Sequence, residues 1–179
     1  MIWKPGARLN SAIRRFEYYK TLGERTFDQV ADNGLFWQYN EASNSIAMIV
    51  QHVAGNMLSR WTDFLTSDGE KSGRNRDAEF EPVIKNRAEL LEKWNDGWNC
   101  MLNALRLIDE KDWDKTIYIR GEAHSIVDAI NRQLAHVPYH VGQIVFIGKM
   151  IAGEKWHSLS IPKGQSESFN KKMSAIHPK

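Results

Sequence analysis

Ile130-Asn131-Arg132-Gln133-Leu134-Ala135-His136-Val137-Pro138-Tyr139-His140-Val141-Gly142-Gln143 is the stretch on which the reading of this chain turns. Apolar residues recur around it at spacings of three and four: Ile126, Ile130, Leu134, Val137, Val141, Ile144 and Val145. That period predicts one face of a helix. Ser125 and Asp128 resemble a capping box at its start and Gly153 supplies a stop, so the helix is expected over Ile126–Ala152. Positions four apart on a helix lie one above the other, so His136 and His140 present two imidazoles to one point. Gln133 and Gln143 extend the same polar line beside the apolar stripe. A buried polar group needs a partner, and a metal ion would satisfy both imidazoles at once. Two such nitrogens suit zinc, nickel, iron or copper. Pro138, between the histidines, removes one helical hydrogen bond and either strains the turn at the ligand pair or is an ordinary kink.

Working outward, three further segments carry the helical period. The first spans about Ala7 to Val30, with Leu9, Ile13, Phe16, Phe27 and Val30 near one face and Asp32-Asn33-Gly34 as a stop. The second spans about Ser45 to Thr66, with Ile46, Ile49, Val50, Val53, Met57, Trp61, Phe64 and Leu65 inward and Ser43, Asn44 or Ser45 as cap. The third opens near Pro82 and continues to about Ile108 through Leu90, Leu91, Trp94, Trp98, Met101, Leu102, Leu105 and Ile108. The expected fold is therefore all-α, a four-helix bundle. Residues 67–81 are polar, and fifteen extended residues reach roughly 50 Å where a 22-residue helix is only about 33 Å long. That link is long enough to cross the bundle and leave helices two and three parallel. Thr116-Ile117-Tyr118-Ile119-Arg120 before Gly121 reads as a short strand or hairpin arm ahead of helix four. The bundle is assigned to residues 1–154, and residues 155–179 to a polar tail lying across its surface or frayed.

Composition narrows the function classes. A chain of 179 residues with 42% hydrophobic content builds one core without disulfides. Its net charge of +2, from 24 basic and 22 acidic side chains, shows no basic stripe, so nucleic acid is not an expected partner. The apolar run Ile46–Val50 is too short to span a bilayer, and Met1-Ile2-Trp3-Lys4-Pro5-Gly6 has no signal-peptide apolar run. Cys100 is the single cysteine, which excludes an intrachain disulfide framework. No membrane partner and a cytoplasmic location are the resulting expectations.

His52 lies in the middle of helix two, flanked by Val50, Val53 and Ala54. It is either a hydrogen-bonded core residue or a third ligand. Asn56 and Ser59 lie within about 40° of it, and Ser45 and Asp63 fall near the same line, a polar stripe suited to a cavity between helices two and four. Of the other histidines, His124 is read as a loop residue, and His157 and His177 belong to the tail. Cys100 is expected to be a buried small hydrophobe. Trp94 and Trp98, four apart, are expected in the core or at a dimer interface.

A helix-two histidine followed about eighty residues later by His-x-x-x-His and Gly142-Gln143 resembles the DinB/YfiT-like superfamily of metal-binding helical bundles. The likeness runs through Gln51-His52-Val53-Ala54-Gly55-Asn56-Met57 and Ile130–His136. The tail Leu159-Ser160-Ile161-Pro162-Lys163-Gly164-Gln165-Ser166 is similar to a YizA-like branch. The resemblance implies a four-helix bundle with one long crossover, often a homodimer. It also implies a three-histidine site, His52, His136 and His140, for a divalent ion, commonly nickel or zinc. Some relatives are S-transferases or isomerases using low-molecular-weight thiols, and others hydrolases.

Three neutral imidazoles leave such an ion its full charge and an open position. It can lower the pKa of bound water towards roughly 7 or hold a thiol as thiolate. The position after His136, where an H-E-x-x-H zinc protease carries glutamate, is Val137, which disfavours that chemistry. No general base adjoins the ligand faces except Asp63, and that favours thiol transfer over hydrolysis. Asn56, Tyr139 and Gln143 are candidates for supporting or substrate contacts. The expected function is a metal-dependent enzyme, thiol-dependent S-transferase or hydrolase, acting on a small molecule. The alternatives are a metal-binding bundle without catalysis and a structural dimer in which the histidines only pack.

Overall fold

The structure, a computed structural model, describes residues 5–176, so His177 and the stretch up to Lys4 lie outside the described residues. The described chain is mostly helical: α1 Pro5–Phe27, α2 Ile46–Trp61, α3 Arg87–Arg106, α4 Ile126–Ala152 and α5 Ser166–Ile176, with a two-stranded sheet of β1 Thr116–Ile119 and β2 Glu122–Ser125. Every apolar residue assigned inward on the four long helices is buried in one core or packed against it. Trp94 and Trp98 are among its fully buried side chains, so both belong to the core of the chain rather than to an interface.

Helix α4 has the expected bounds. Ser125 Oγ accepts from the amide of Asp128, and Gly153 at φ 55° ends the helix. The helix continues through Pro138, whose missing N–H leaves the Leu134 carbonyl without its usual donor. Helix α2 starts where Ser45 Oγ accepts from Met48 N, but it stops at Trp61, five residues short of expectation. Asp63 takes φ 48°, a left-handed backbone no helix accommodates, and its carbonyl accepts from Thr66 and Ser67 in a turn. Asp63 is thereby removed from the polar line of α2. Helix α3 opens at Arg87, not near Pro82, because Asn86 is the cap: its side chain accepts from the Glu89 amide. Asp32-Asn33-Gly34 does not stop α1 directly. That helix ends at Phe27, and the three residues sit in a 3-10 turn over Asp32–Phe36.

Helix α2 packs on α3, α1 on α4, and α2 and α4 touch across the middle. A Cβ at Gly97 would come within 2.8 Å of the Ala54 backbone, so α2 and α3 meet closely there, while Thr62 sits beside Cys100 at 3.5 Å. Residues 67–81 carry the chain on from the end of α2 towards α3, and Ser59 anchors them: its hydroxyl donates to the Gly69 carbonyl and accepts from the Lys71 amide.

The arm before α4 is an antiparallel hairpin pairing Thr116 with Ser125 and Ile119 with Glu122. Arg120 and Gly121, at φ 57° and 74°, form the turn, with the left-handed pair that matches strand twist. Asp68 holds it by accepting from the amides of Arg120 and Gly121 at 2.8 and 2.7 Å. Those amides, with that of Glu70, keep the Asp68 carboxyl below its ordinary range.

The tail carries a helix that the apolar pattern did not announce. Beyond Leu159, whose carbonyl accepts from Arg25, it forms α5, an eleven-residue helix with no buried residue.

Candidate metal centre

His52, His136 and His140 come together where α2 faces α4. One ring nitrogen from each lies within 4.8 Å of the others. His52 Nε2 and His136 Nε2 are 3.3 Å apart, close to the roughly 3.4 Å between two ligands of one tetrahedral ion at ordinary metal–nitrogen lengths. The expected helical geometry explains the α4 pair; the third imidazole comes from the buried face of α2.

The outer nitrogens show which atoms face the shared point. His52 Nδ1 donates to Glu79 Oε2 at 2.9 Å, leaving Nε2 with its lone pair turned inward. His140 Nδ1 is 3.0 Å from Gln143 Oε1, which fixes that ring in the same tautomer. His136 Nδ1 is buried and has no partner among the described residues. Phe80 stacks on the His52 ring at 4.7 Å.

Glu79 is the residue that sequence reasoning missed. It comes from a 3-10 turn in the segment between α2 and α3, Asp77–Phe80, and is buried. Arg74 grips it twice, Nε to Oε1 at 2.7 Å and Nη2 to Oε2 at 2.9 Å. Burial pushes the Glu79 carboxyl up, but hydrogen bonds from His52 and Arg74 and the guanidinium charge outweigh it and hold the group below its ordinary value. Gly55, one turn along α2 from His52, makes the space: a Cβ there would stand 2.5 Å from Glu79 Oε1. A glycine at that position on an otherwise apolar helix was the one signal in the sequence. It did not say which residue would fill the gap.

The two α4 imidazoles are held neutral. Burial lowers His136 most, followed by the neighbouring His140, His52, Arg60 and Arg74, and its pKa falls to about 3. Burial also lowers His140, opposed by the hydrogen bond to Gln143 and helped by the neighbouring His52 ring. Neutral imidazole is the ligand form. The converging nitrogens and the oriented His52 and His140 rings fit a divalent ion, so these three residues could hold one.

Of the supporting candidates, Gln143 orients His140. Tyr139 is 64% exposed, with its ring edge-on to His140. Asn56 is buried and lines a pocket next to His136. Ser45 and Ser59, on the expected polar line, serve instead as helix cap and loop anchor. His124 is no loop residue: it lies in β2, buried, with Nδ1 2.5 Å from Asp128 Oδ2 and away from the centre. Cys100 is half-buried beside Thr62. His157 hydrogen-bonds Gln29 through its backbone.

Fold and site thus define a mostly helical protein with a three-histidine cluster, one member buried and two half-buried, able to take a metal ion. Residues 6–165 match DUF1572, a family described as protein of unknown function, and the chain belongs to that family. No curated protein and no solved structure matches it. Helix α5 begins just past the matched span. No helix among the described residues is long and apolar enough to cross a membrane.

Proposed function

We propose that this is a DinB-like, divalent-metal-binding protein whose four long helices act as one bundle with a crossover between α2 and α3, and that it is a metal-dependent enzyme using His52, His136 and His140. Nickel or zinc suits three imidazole nitrogens. When bound, the ion supplies a full positive charge and an open position at which water or a thiol becomes acidic. The observation that carries the reading is the set of outer nitrogens: His52 on Glu79 and His140 on Gln143 have their inner lone pairs committed to one point.

Between the two chemistries, thiol-dependent transfer is favoured over hydrolysis. Both Glu79 oxygens are engaged by Arg74 and His52, so this carboxylate positions a ligand and is not free to take a proton from water. A low-molecular-weight thiol needs less help from a protein base. A homodimer belongs to the same proposal, supported by the exposed apolar side chains Phe146 and Met150 on α4 and Trp37 and Tyr39 beside them.

The test is cobalt-substituted protein titrated with small biological thiols. A change in the visible spectrum on thiol addition is expected. A spectrum unmoved by any of several thiols rules out thiol binding at the centre and leaves hydrolysis or a non-catalytic metal protein.

A further inference from the structure

A pocket of about 380 Å³ opens beside His136, the one ligand candidate that lines it, between the second half of α2, the first half of α4 and Ile119 of the hairpin. That is the size of ligand-binding clefts for metabolite-sized molecules. Its lining residues carry polar atoms that have no partner among the described residues. Asn56 and Gln133 are 7% and 4% exposed, yet Asn56 Oδ1 and Gln133 Nε2 have no hydrogen-bond partner among the described residues. Nη1 of Arg60 is also buried and unpartnered.

The neighbouring carboxylates do not pair with Arg60. Two buried or half-buried carboxylates lie close by, and other arginines occupy both: Arg74 takes Glu79 and shares Glu70 with Arg120. Arg60 and Arg132, both lining the pocket, make no ion pair among the described residues. Burial above all, together with Arg74, Arg132 and Arg120, makes the Arg60 proton less tightly held than usual, with Glu70 opposing. A partly desolvated guanidinium with no direct ion pair is costly in a folded protein, and it is the group best shaped to receive a planar oxyanion in two parallel hydrogen bonds.

We infer that this pocket is the substrate subsite and that its substrate is a small anion bearing a carboxylate or a phosphate, held by Arg60 and Arg132 with its remainder directed at the metal centre. This rests on the metal reading for the identity of the reacting end, but not for the binding of the anion. The amide of Gln133 adds a donor, and Asn56 Oδ1 accepts from a hydroxyl or amide on the same molecule. Exposed Tyr139 lies at the pocket wall.

The experiment measures binding of acetate, inorganic phosphate and neutral acetamide to metal-loaded and chelator-stripped full-length protein by ligand-observed NMR, with the metal content of each sample determined. The expected result is saturable binding of acetate or phosphate and none of acetamide. Affinity should fall at least tenfold in Arg60→Gln and several-fold in Arg132→Gln, whose exposed side chain is dispensable for folding. Whichever anion binds more tightly decides between a carboxylate and a phosphorylated substrate. Equal affinity of wild type and Arg132→Gln, with Arg60→Gln either folded and equal or compared through Arg60→Lys and equal, overturns the subsite. Anion binding that persists in a protein that takes up no metal keeps the subsite and overturns the metal reading. Metal uptake without arginine-dependent anion binding does the reverse.

Discussion

The two halves of the histidine cluster are built differently. On the α2 side, His52 is 4% exposed, stacked on Phe80 and tied through Glu79 to Arg74, which also reaches Glu70. On the α4 side, His136 and His140 stand on one uninterrupted helix, and their support among the described residues is a single amide, Gln143. One half is oriented by a charged network from a long loop, the other by the stiffness of a helix. An isolated pair at i and i+4 is set by the helical period alone, whereas a lone imidazole from another element needs an external partner to choose its tautomer and its angle.

Breaking the network should therefore cost more than breaking the amide contact. The largest effect is expected from Glu79→Ala, which leaves Arg74 buried beside an unoriented His52. Loss of one member of a buried pair costs about 3–5 kcal/mol, so a clear drop in the urea midpoint is expected, and metal affinity should fall about 10–100-fold, the range for outer-shell partners. An unchanged midpoint and affinity, by chemical denaturation and competition with a chromophoric chelator, would show that the network does not hold His52.

Gly55→Ala is the gentler probe of the same half. The added methyl meets the Glu79 side chain first, so metal affinity should drop by about tenfold while stability changes by less than in Glu79→Ala. Equal losses in both properties would mean that Gly55 serves helix packing instead.

Acid sharpens the contrast from the other side. His136 in the folded, metal-free chain stays neutral down to about 3 against an ordinary 6.5. Between those values the unfolded chain binds a proton that the folded one does not, so stability rises with pH and is lost as pH falls from 6.5 towards 3. Glu79, whose carboxyl is depressed from 4.5, adds a second loss as pH falls through its folded value. His136→Gln should flatten the upper part of this profile, read as urea midpoints at stepped pH in chelator. A wild-type profile already flat from 6.5 to 4.5 would contradict the burial of that imidazole. The smallest effect is expected from Gln143→Ala, at or below the tenfold end of the outer-shell range, because α4 still holds His140 in place.

The same asymmetry explains what the sequence could reveal. Helix α4 and its two histidines were legible because a cap, a period of three to four and a glycine stop all agree, and because spacing on one helix is geometry. His52 was legible as a polar residue on an apolar face, its partners only through resemblance. Glu79 was not, since it lies 27 residues beyond His52 in a polar loop whose path no periodicity records. The C-terminal end of α2 and the start of α3 were misplaced where a local turn at Asp63 and a side-chain cap at Asn86 overrode apolar pattern and proline preference. Helix α5 was hidden by its polar composition, with Phe169, Met173 and Ile176 spaced by four and three among exposed residues.

The most direct trial of the account is elemental analysis of protein purified without chelator, wild type beside His52→Ala and His140→Ala. A near-stoichiometric divalent metal in the wild type, lost from both variants, is the predicted result. Wild-type protein that carries no metal and takes up neither nickel nor zinc on dialysis would reduce the three imidazoles to packing residues.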